Sequence, residues 1–371
     1  MKTVETRAVD PLLFGDGRPF GNEHGALAAR SLPVPNPGTL AGFVRTQVGN
    51  QAGWDWAADG KEKALQVAVH GPILKRNGQF AFKAPADAVI FKKDGEQEPK
   101  VMCLRPKELA PGEGMNLPNG LLPLEVTDNE KPQTDYNFWS HSDMLQWLCH
   151  SHGANFLVPE KIVGLPTEER VRIAIENGVA KEGAFFTVER RAFESYDWNG
   201  NGHEDWTLVA KVATDQALKG GGNLGGERRL ATIQENAEWP AFPQELEEAL
   251  CNTQNLRLIL ATPAVFQHGW LPEWVKTGIE GIPVKIVSAA VPRRHSATGW
   301  NLVQKEFGPK KVKWMAPAGS VYFLKIENGS ALELAKKLWL KPVSDDDQDK
   351  RDGYGLALWG VWNYAEGDSN D

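Results

Sequence analysis

Ala28-Ala-Arg-Ser-Leu-Pro-Val-Pro-Asn-Pro-Gly-Thr-Leu-Ala-Gly-Phe-Val-Arg-Thr46 is a proline-rich loop that runs directly into a helix. Each proline disfavours helix in the residue before it, so the chain stays extended until the third proline, Pro37, is passed. Thr39 is then the predicted N-cap. Apolar residues follow at helical spacing, at Leu40, Phe43, Val44 and Val48. This pattern predicts a helix over 39–49 with one buried face.

Three arginines accompany the start of this helix. Arg30 and Arg45 lie within the quoted stretch, and Arg18 ends the preceding segment Asp10-Pro-Leu-Leu-Phe-Gly-Asp-Gly-Arg18. The first N–H groups of a helix lack intrahelical partners and attract anions, and guanidinium groups pair with phosphate. The segment therefore predicts an anion site around Thr39. The alternative is a surface loop with three solvated arginines.

Composition limits the class of protein. The 371 residues are 41% hydrophobic and 24% charged, with a formal net charge of −7. These values are typical of a globular chain with two domains or a duplicated architecture. The net acidity counts against a free-standing nucleic-acid binder, but not against one whose basic groups are confined to one groove. Basic doublets do occur, among them Arg228-Arg229, Arg293-Arg294 and Lys310-Lys311.

Cysteine usage and hydropathy indicate the compartment. The three cysteines, at 103, 149 and 251, are odd in number and far apart, so neither a disulfide framework nor a thiolate zinc site follows. The segment Met1–Arg7 lacks the apolar core of a signal peptide, and no run of about 18 apolar residues is present. We expect a cytoplasmic protein with no membrane partner.

The order of elements predicts an α+β fold. Strands at 3–9 and 65–74 surround the first helix, and short strands and loops follow to about 135. The second half repeats the plan, with strands at 256–261, 320–326 and 356–362 and a capping box at Ser330-Ala-Leu-Glu333. Two β-α-β units of this kind predict a pair of ferredoxin-like domains, at 1–165 and 166–371, with long insertions and glycine-rich loops in the second.

A glycine-rich segment, Lys219-Gly-Gly-Gly-Asn-Leu-Gly-Gly-Glu-Arg-Arg229, is the second candidate site. Consecutive glycines let backbone N–H groups approach a phosphate, and paired arginines add charge. No Lys followed by Ser or Thr comes after the glycines, so it is not a Walker A loop. The candidate residues are Gly221, Gly222, Gly225, Gly226, Arg228 and Arg229. The alternative is a flexible hairpin tip.

Two further segments combine aromatic residues with glycine or arginine. In Arg351-Asp-Gly-Tyr-Gly355, Gly353 and Gly355 would allow close approach beside Tyr354, on which a base can stack. The alternative is a glycine-bent strand in the core. Arg293-Arg-His295 with Trp300 suits a nucleic-acid backbone, and its alternative is a solvated loop. The 14 tryptophans are expected to be mostly core residues.

Catalytic alternatives depend on histidines. His150 and His152 flank Ser151 at a predicted helix C-terminus, with His141 upstream; a metal site would need both to face one way with a carboxylate nearby. Cationic histidines also stabilise a helix C-terminus, and we predict no metal site. His24 is a candidate general base for attack by a ribose hydroxyl, although the spacing shows no second catalytic group. Asp10 and Asp16 flank a turn and are expected to brace it.

Seven motifs occur here in the order that characterises one family. They are Asp10-Pro-Leu-Leu-Phe to Thr46, Val171-Arg-Ile-Ala-Ile with Ala180-Lys-Glu-Gly-Ala-Phe-Phe, Leu224-Gly-Gly-Glu-Arg-Arg, Ala261-Thr-Pro-Ala-Val-Phe with Gly269-Trp-Leu-Pro, Ser288 to Trp300, Pro317-Ala-Gly-Ser-Val-Tyr-Phe and Gly353-Tyr-Gly. Together they resemble the third-subunit family of the Cmr effector complex, in the RAMP superfamily of type III-B CRISPR systems.

The resemblance implies two RRM-like domains with no catalytic centre, cofactor or small-molecule substrate. It implies a subunit that holds the repeat-derived 5′ tag of the guide RNA, between the large polymerase-like Cmr subunit and a backbone RAMP subunit. Carried over by position, the tag would be lined by Arg18, Arg30, Ser31, Thr39 and Arg45 and clamped by the glycine loop with Arg228 and Arg229. Gly15 departs from the family, since many relatives have arginine there.

Three hypotheses remain at this stage. The first is the non-catalytic guide-RNA subunit. The second is a metal-independent endoribonuclease of the RAMP type that processes precursor guide RNA with His24 as base. The third is a tryptophan-rich carbohydrate-binding protein, for which ligand affinity would not depend on salt, whereas phosphate contacts weaken steeply as salt rises.

Overall fold

The secondary structure is taken from a computed structural model that describes residues 1–18, 28–118, 120–150, 156–196, 202–235, 237–301 and 308–364. The strands are β1 Lys2–Ala8, β2 Ala28–Ala29, β3 Val69–Arg76, β4 Gln79–Lys83, β5 Ala88–Phe91, β6 Lys100–Cys103, β7 Arg105–Pro106, β8 Leu124–Glu125, β9 Phe138–Ser140, β10 Thr167–Glu176, β11 Val179–Arg191, β12 Glu194–Tyr196, β13 His203–Val212, β14 Lys219–Asn223, β15 Leu230–Glu235, β16 Asn255–Leu260, β17 Val284–Ala290, β18 His295–Ala297, β19 Trp300–Asn301, β20 Gly308–Pro309, β21 Lys313–Met315, β22 Val321–Ile326 and β23 Ala357–Val361. The helices are α1 Pro37–Gln51, α2 Gly60–Gln66, α3 His141–Cys149, α4 Gln244–Leu250, α5 Trp274–Thr277, α6 Ala331–Leu338 and α7 Asp347–Arg351. This mixture agrees with the predicted α+β class.

Helix α1 starts earlier than its apolar pattern indicates. Its N-cap is Asn36, and Pro37 occupies the first helical position, where a fixed φ and a missing N–H carry no cost. Thr39 is therefore inside the first turn, and the predicted cap is corrected. The predicted buried face is present, because Leu40, Phe43, Val44 and Val48 are all buried.

The first sheet has the strand order β14-β15-β1-β13-β3-β4-β9. Each neighbouring pair is antiparallel, and β1 lies between β15 and β13. One face packs against α1 around Val44, Leu208 and Ile233. Because β13, β14 and β15 belong to this sheet, the change of sheet along the chain comes after Glu235 and not after residue 165.

The second sheet has the order β17-β22-β16-β23, again antiparallel throughout. Its core also includes Ile73, Phe82 and Val209 from the other face of the first sheet, with α3 between the two sheets. The two halves therefore share one hydrophobic core. A buried ion pair crosses it, in which Arg257 Nη1 donates to Asp87 Oδ2 at 2.8 Å.

An arm of two long strands, β10 and β11, extends from the first half. Its only strand neighbour among the described residues is the two-residue β2. Val171 and Ile173 are two residues apart on β10, and Phe185 is opposite Ile173 on β11, so the three side chains share one face. Each is more than half exposed.

Other local predictions differ from the structure in specific ways. The segment 65–74, predicted as one strand, contains the last residues of α2 and most of β3. The predicted glycine loop is in part a regular strand, β14, paired with β15. No helix in the described part of the chain combines the length and apolar character needed to cross a membrane.

Candidate nucleic-acid interface

A cavity of about 240 Å³ lies at the N-terminal end of α1. One wall is the first turn of the helix, and the opposite wall is the segment that joins β18 to β21. Residues of both halves line it, and those used below are Gly38, Thr39, Lys310, Lys311, Lys313 and Tyr354. The structure thus brings two predicted site residues, Thr39 and Tyr354, to the same cavity. It adds three lysines that were not assigned to the site.

Three lysines and one carboxylate line the cavity, and the carboxylate, Asp352, is already paired with Arg45. Lys310 and Lys311 are exposed and form no ion pair with any carboxylate that the structure describes. Lys313 pairs with Asp349. Burial raises the pKa of Asp349, and the Lys313 ammonium acts in the opposite direction. Two uncompensated cations therefore face the positive end of the helix dipole, which favours an anion.

The first N–H groups of α1 contribute less to anion binding than the sequence predicted. Pro37 has no N–H, and the Thr39 N–H donates to the Asn36 carbonyl at 2.9 Å. The Tyr354 hydroxyl lies against Gly38. Burial raises the pKa of Tyr354, and a hydrogen bond from the Gly38 backbone opposes the rise. Lysine ammonium groups, the Thr39 hydroxyl and the dipole therefore remain as the anion-binding elements.

Arg45 does not reach this cavity. It is 6% exposed, and its guanidinium donates from Nη1 to Asp352 Oδ1 at 2.6 Å, from Nε to the Val67 carbonyl and from Nη2 to the Arg351 carbonyl. All of these acceptors are protein atoms. The predicted RNA contact is therefore corrected: Arg45 joins α1 to the second half of the chain.

The other residues of the opening segment divide into two kinds. Ser31 is buried, and its Oγ accepts from the Phe14 N–H, so the predicted RNA contact is corrected to a loop brace. Arg30 is exposed. Arg18 is 71% exposed and pairs with Asp16 at 3.2 Å. Its neighbour Gly17 lies against Thr298, which lines the cavity.

The glycine loop packs against the protein itself. A Cβ at Gly222 would fall 2.5 Å from Gln47 Nε2, and a Cβ at Gly225 would fall 2.4 Å from the Leu13 carbonyl oxygen. Gly226 also lies against Leu13, and Gly221 faces the Ala231 carbonyl. Intramolecular packing therefore accounts for these glycines without a phosphate.

The two arginines of this loop are in different environments. Arg229 is half-buried, with Asp10 at 3.9 Å and Glu227 at 3.6 Å. Asp10 thus contacts the glycine loop. Arg228 is exposed, and it forms no ion pair with a carboxylate in the described ranges. Of the two arginines, Arg228 is the one whose guanidinium is exposed and pairs with no described carboxylate.

Gly353 and Gly355 are buried, and Tyr354 is 5% exposed. A Cβ at Gly353 would fall 2.6 Å from the Gly71 carbonyl oxygen. The predicted close approach is therefore to the protein's own backbone, and these two glycines are corrected from RNA contacts to packing residues. Tyr354 forms the floor of the cavity and offers no open face for a base.

The basic segment at 293–295 lies on the hairpin of β18 and β21. Arg293, Arg294 and His295 are exposed, and the Arg294 guanidinium carbon lies 4.2 Å from the centroid of the Trp314 ring. Burial lowers the pKa of His295, with a smaller effect from Lys83. The aromatic partner is thus Trp314. The side chain of Trp300 lies outside the described residues. The signal in the sequence was Lys310-Lys-Val-Lys-Trp314, a basic run that ends in an aromatic residue.

Histidines outside this region are engaged in packing. His141 contacts the rings of Phe80 and Phe82, and burial lowers its pKa. His150 Nδ1 lies 2.5 Å from the Gln146 carbonyl oxygen. Within the described ranges no group of three His, Cys, Asp or Glu side chains could hold a metal ion. His24 and His152 lie outside the described residues.

A family model identifies the protein family. The model of the family described as "CRISPR-associated protein (Cas_Cmr3)" matches residues 5–362. The chain belongs to the Cas_Cmr3 family. This confirms the resemblance found in the ordered motifs. A search of curated protein sequences finds no match.

Solved structures give more distant likenesses. A chain of the "Type III-B Cmr-beta bound to cognate target RNA and AMPPnP, state 1" is 16% identical, with a TM-score of 0.49, over 87% of this chain and 86% of that one. A second Cmr-beta structure bound to cognate target RNA has a TM-score of 0.48 over the same shares. A chain of the "Csm3-Csm4 subcomplex in the type III-A CRISPR-Cas interference complex" is 9% identical, with a TM-score of 0.37, over 98% and 100%.

Four exposed cations of this Cas_Cmr3 protein lie on one side of the cavity. Exposed arginines and lysines that pair with no described carboxylate occur on the β18–β21 hairpin and the segment between its strands: Arg293, Arg294, Lys310 and Lys311. Five large tryptophans, in contrast, are fully buried core residues: Trp139, Trp147, Trp206, Trp359 and Trp362.

Proposed function

We propose that this chain is the guide-RNA-binding subunit of a cytoplasmic type III-B Cmr ribonucleoprotein. In this role it holds the repeat-derived 5′ tag of the guide RNA and has no catalytic activity of its own. It bridges the large polymerase-like subunit and a backbone RAMP subunit. The observation that carries the proposal is the cavity at the start of α1, where Lys310 and Lys311 face the helix N-terminus without an acidic partner in the described chain.

The charge distribution supports a polyanion as ligand. The whole chain has a net charge of −7, yet the hairpin and cavity form a cationic face. A local field of this kind attracts a polyanion even when the protein as a whole is acidic. The cations continue along the hairpin beyond the cavity, which suits a strand of successive phosphates better than one small anion.

The strand orders support two ferredoxin-like domains with a revised boundary. In the first half, β1, β3, β13 and β15 are arranged with the first strand between the third and fourth. The second half has the same arrangement of β16, β17, β22 and β23. The second half also has the β-α-β-β-α-β element order predicted from the sequence, whereas in the first half β14 and no described helix lies between β13 and β15. We place the boundary between the domains after Glu235.

An exposed apolar surface supports the bridging role. The face of the arm formed by Val171, Ile173 and Phe185 offers three large side chains to solvent. Exposed apolar patches mark sites of protein contact. We assign this face to a neighbouring protein subunit, and the cationic face to RNA.

The experiment is reconstitution of the Cmr complex with guide RNA. We expect the double variant Lys310→Ala/Lys311→Ala to lose RNA retention, by roughly 1.5–3 kcal/mol for each charged hydrogen bond removed. Affinity should fall with rising salt more steeply for wild type than for the variant, because fewer phosphate contacts release fewer counterions. The control is Lys276→Ala/Lys337→Ala, which removes the same charge from exposed lysines outside the cavity.

Three results would contradict parts of the proposal. Equal RNA retention by both double variants would contradict the site. Assembly of the large subunit with the backbone subunits in the absence of this chain would contradict bridging. Cleavage of repeat RNA by the pure protein, lost in His24→Ala, would favour the endoribonuclease alternative.

A further inference from the structure

A second groove, of about 760 Å³, adjoins the lysine cavity and shares Lys313 with it. One side is the loop 265–270, which contributes Phe266, His268 and Trp270. The other side is the β18–β21 hairpin, which contributes Arg294 and Trp314. Nothing in the fold accounts for an open groove with this many aromatic walls.

Trp314 is unusual among the tryptophans. Its side chain is 48% exposed, and it is the one tryptophan among the large hydrophobic side chains exposed in the described part of the chain. It is opposite Ser296 in the hairpin, and Arg294 is two residues before Ser296, so the indole and the guanidinium share a face. The neighbouring Met315 points into the core, which fixes this orientation.

The two planar groups suit a nucleobase. The Arg294 guanidinium lies 4.2 Å from the Trp314 ring centroid. Unstacked RNA bases bind by stacking on aromatic rings or on arginine guanidinium planes. A groove of this volume is large enough for a nucleotide.

The charged residues around the groove favour an anionic ligand. No carboxylate lines the groove within the described residues, and Arg294 does. Lys313, which both sites share, is paired with Asp349, and the next cavity adds Lys310 and Lys311 together with Asp352, which is paired with Arg45. An apolar peptide or a neutral sugar would gain nothing from these cations. A ligand with both an aromatic face and a phosphate would use both halves of the surface.

We propose that this groove is a nucleobase subsite, in which one base of the guide RNA stacks on Trp314 while the Arg294 guanidinium covers the other face of the indole. The phosphate of the same or the adjacent nucleotide lies in the cavity lined by Lys310 and Lys311. The proposal rests on the proposed RNA-binding function. To that function the subsite adds a specific contact with a base, made by Trp314, which is outside the arginines and glycines assigned from the sequence.

The test uses the reconstituted complex and guide RNAs with 2-aminopurine at successive positions near the 5′ end. This base fluoresces weakly when stacked and strongly when unstacked. We expect one quenched position in wild type to become bright in Trp314→Ala and to remain partly quenched in Trp314→Phe. Tyr196→Ala is the control, since Tyr196 is an exposed aromatic residue on β12 with 71% exposure.

A second measurement removes the base instead of the ring. An abasic nucleotide at the quenched position should weaken RNA retention by wild type about 5- to 150-fold, the range for one lost stacking contact. It should have no further effect in Trp314→Ala, and the salt dependence should be the same with and without the base. Arg294→Ala gives a separate test if Trp314→Ala fails to assemble.

The failures of the two proposals are distinguishable. If RNA is retained and its fluorescence profile is the same in wild type, Trp314→Ala and Arg294→Ala, the subsite is wrong and the RNA-binding function stands. If RNA photo-crosslinks to other subunits but not to this chain, both proposals are wrong. If 2-aminopurine is bright at every position in wild type, the groove holds no base.

Discussion

Arg45 shows how far a single residue can be interpreted from sequence. Its place in an arginine-rich helix start predicted an anion contact, and the buried face of the helix around it is the one predicted from the sequence. Its acidic partner, Asp352, is 307 residues away in the chain. No local pattern reveals a pairing over that distance, whereas burial of the guanidinium decides its role.

Replacement of Arg45 should therefore affect stability and not RNA affinity. Arg45→Ala leaves the Asp352 carboxylate without its cation in a nearly buried position, which costs about 3–5 kcal/mol. Urea denaturation monitored by tryptophan fluorescence measures this loss. The control is Arg30→Ala, an exposed position where the change should be within about 0.5 kcal/mol. An unchanged urea midpoint for Arg45→Ala, together with lost RNA binding, would restore the original assignment.

At the scale of elements, sequence patterns located most of the regular structure. The Ser330 capping box is present, since Ser330 Oγ accepts from the Glu333 N–H at 3.3 Å. Strand β22 lies within one residue of the bounds predicted for it, and α1 has the predicted buried face. The glycine run at 219–223 was missed as a strand because glycine has low strand propensity, and pairing with β15 overrides that propensity.

The junction between α7 and β3 depends on one glycine. Gly353 has φ +89°, and a Cβ there would fall 2.6–2.7 Å from the carbonyl oxygens of Gly71 and Val69. Gly353→Ala should cost about 1–3 kcal/mol for backbone strain and a similar amount for overpacking. Thermal unfolding measures the sum.

Gly269→Ala is the matched control for this variant. Gly269 has φ +75° and no heavy atom within 4 Å of a built Cβ. It should therefore show the strain without the overpacking. Equal destabilisation by the two variants would mean that β3 yields to the extra methyl group at no cost.

At the scale of the whole molecule, His70 couples stability to pH. Burial, together with smaller effects of Lys211 and Lys341, lowers the pKa of His70 to about 4. Between pH 4 and 6.5 the unfolded chain binds a proton at this site that the folded chain does not. Stability should therefore rise with pH through this window, by about 2–3 kcal/mol from His70, and be complete above it.

Unfolding free energies at pH 4.5 and 7 test this coupling. His70→Gln should reduce the difference between the two values. A difference as large in His70→Gln as in wild type would assign the pH dependence to other groups.

The functional surface was only partly accessible to sequence reasoning. Thr39, Tyr354 and the arginines at 293 and 294 were selected from local motifs, and the structure brings Thr39 and Tyr354 to one cavity. Lys310, Lys311 and Trp314 were not selected, because their site exists only where the hairpin of the second half meets α1 of the first. Such a juxtaposition is a property of the tertiary fold and has no signature in one segment.

The position of β1 in the first sheet has a consequence for synthesis of the chain. Both of its neighbours are encoded far downstream, since Thr6 pairs with Leu208 and also with Ile233. At roughly 5–20 residues per second, a ribosome needs about 10 to 40 s to make the intervening 200 residues. During that interval the first strand leaves the ribosome with both edges unpaired. The amino terminus can therefore enter the first sheet only after β13 and β15 have been synthesised.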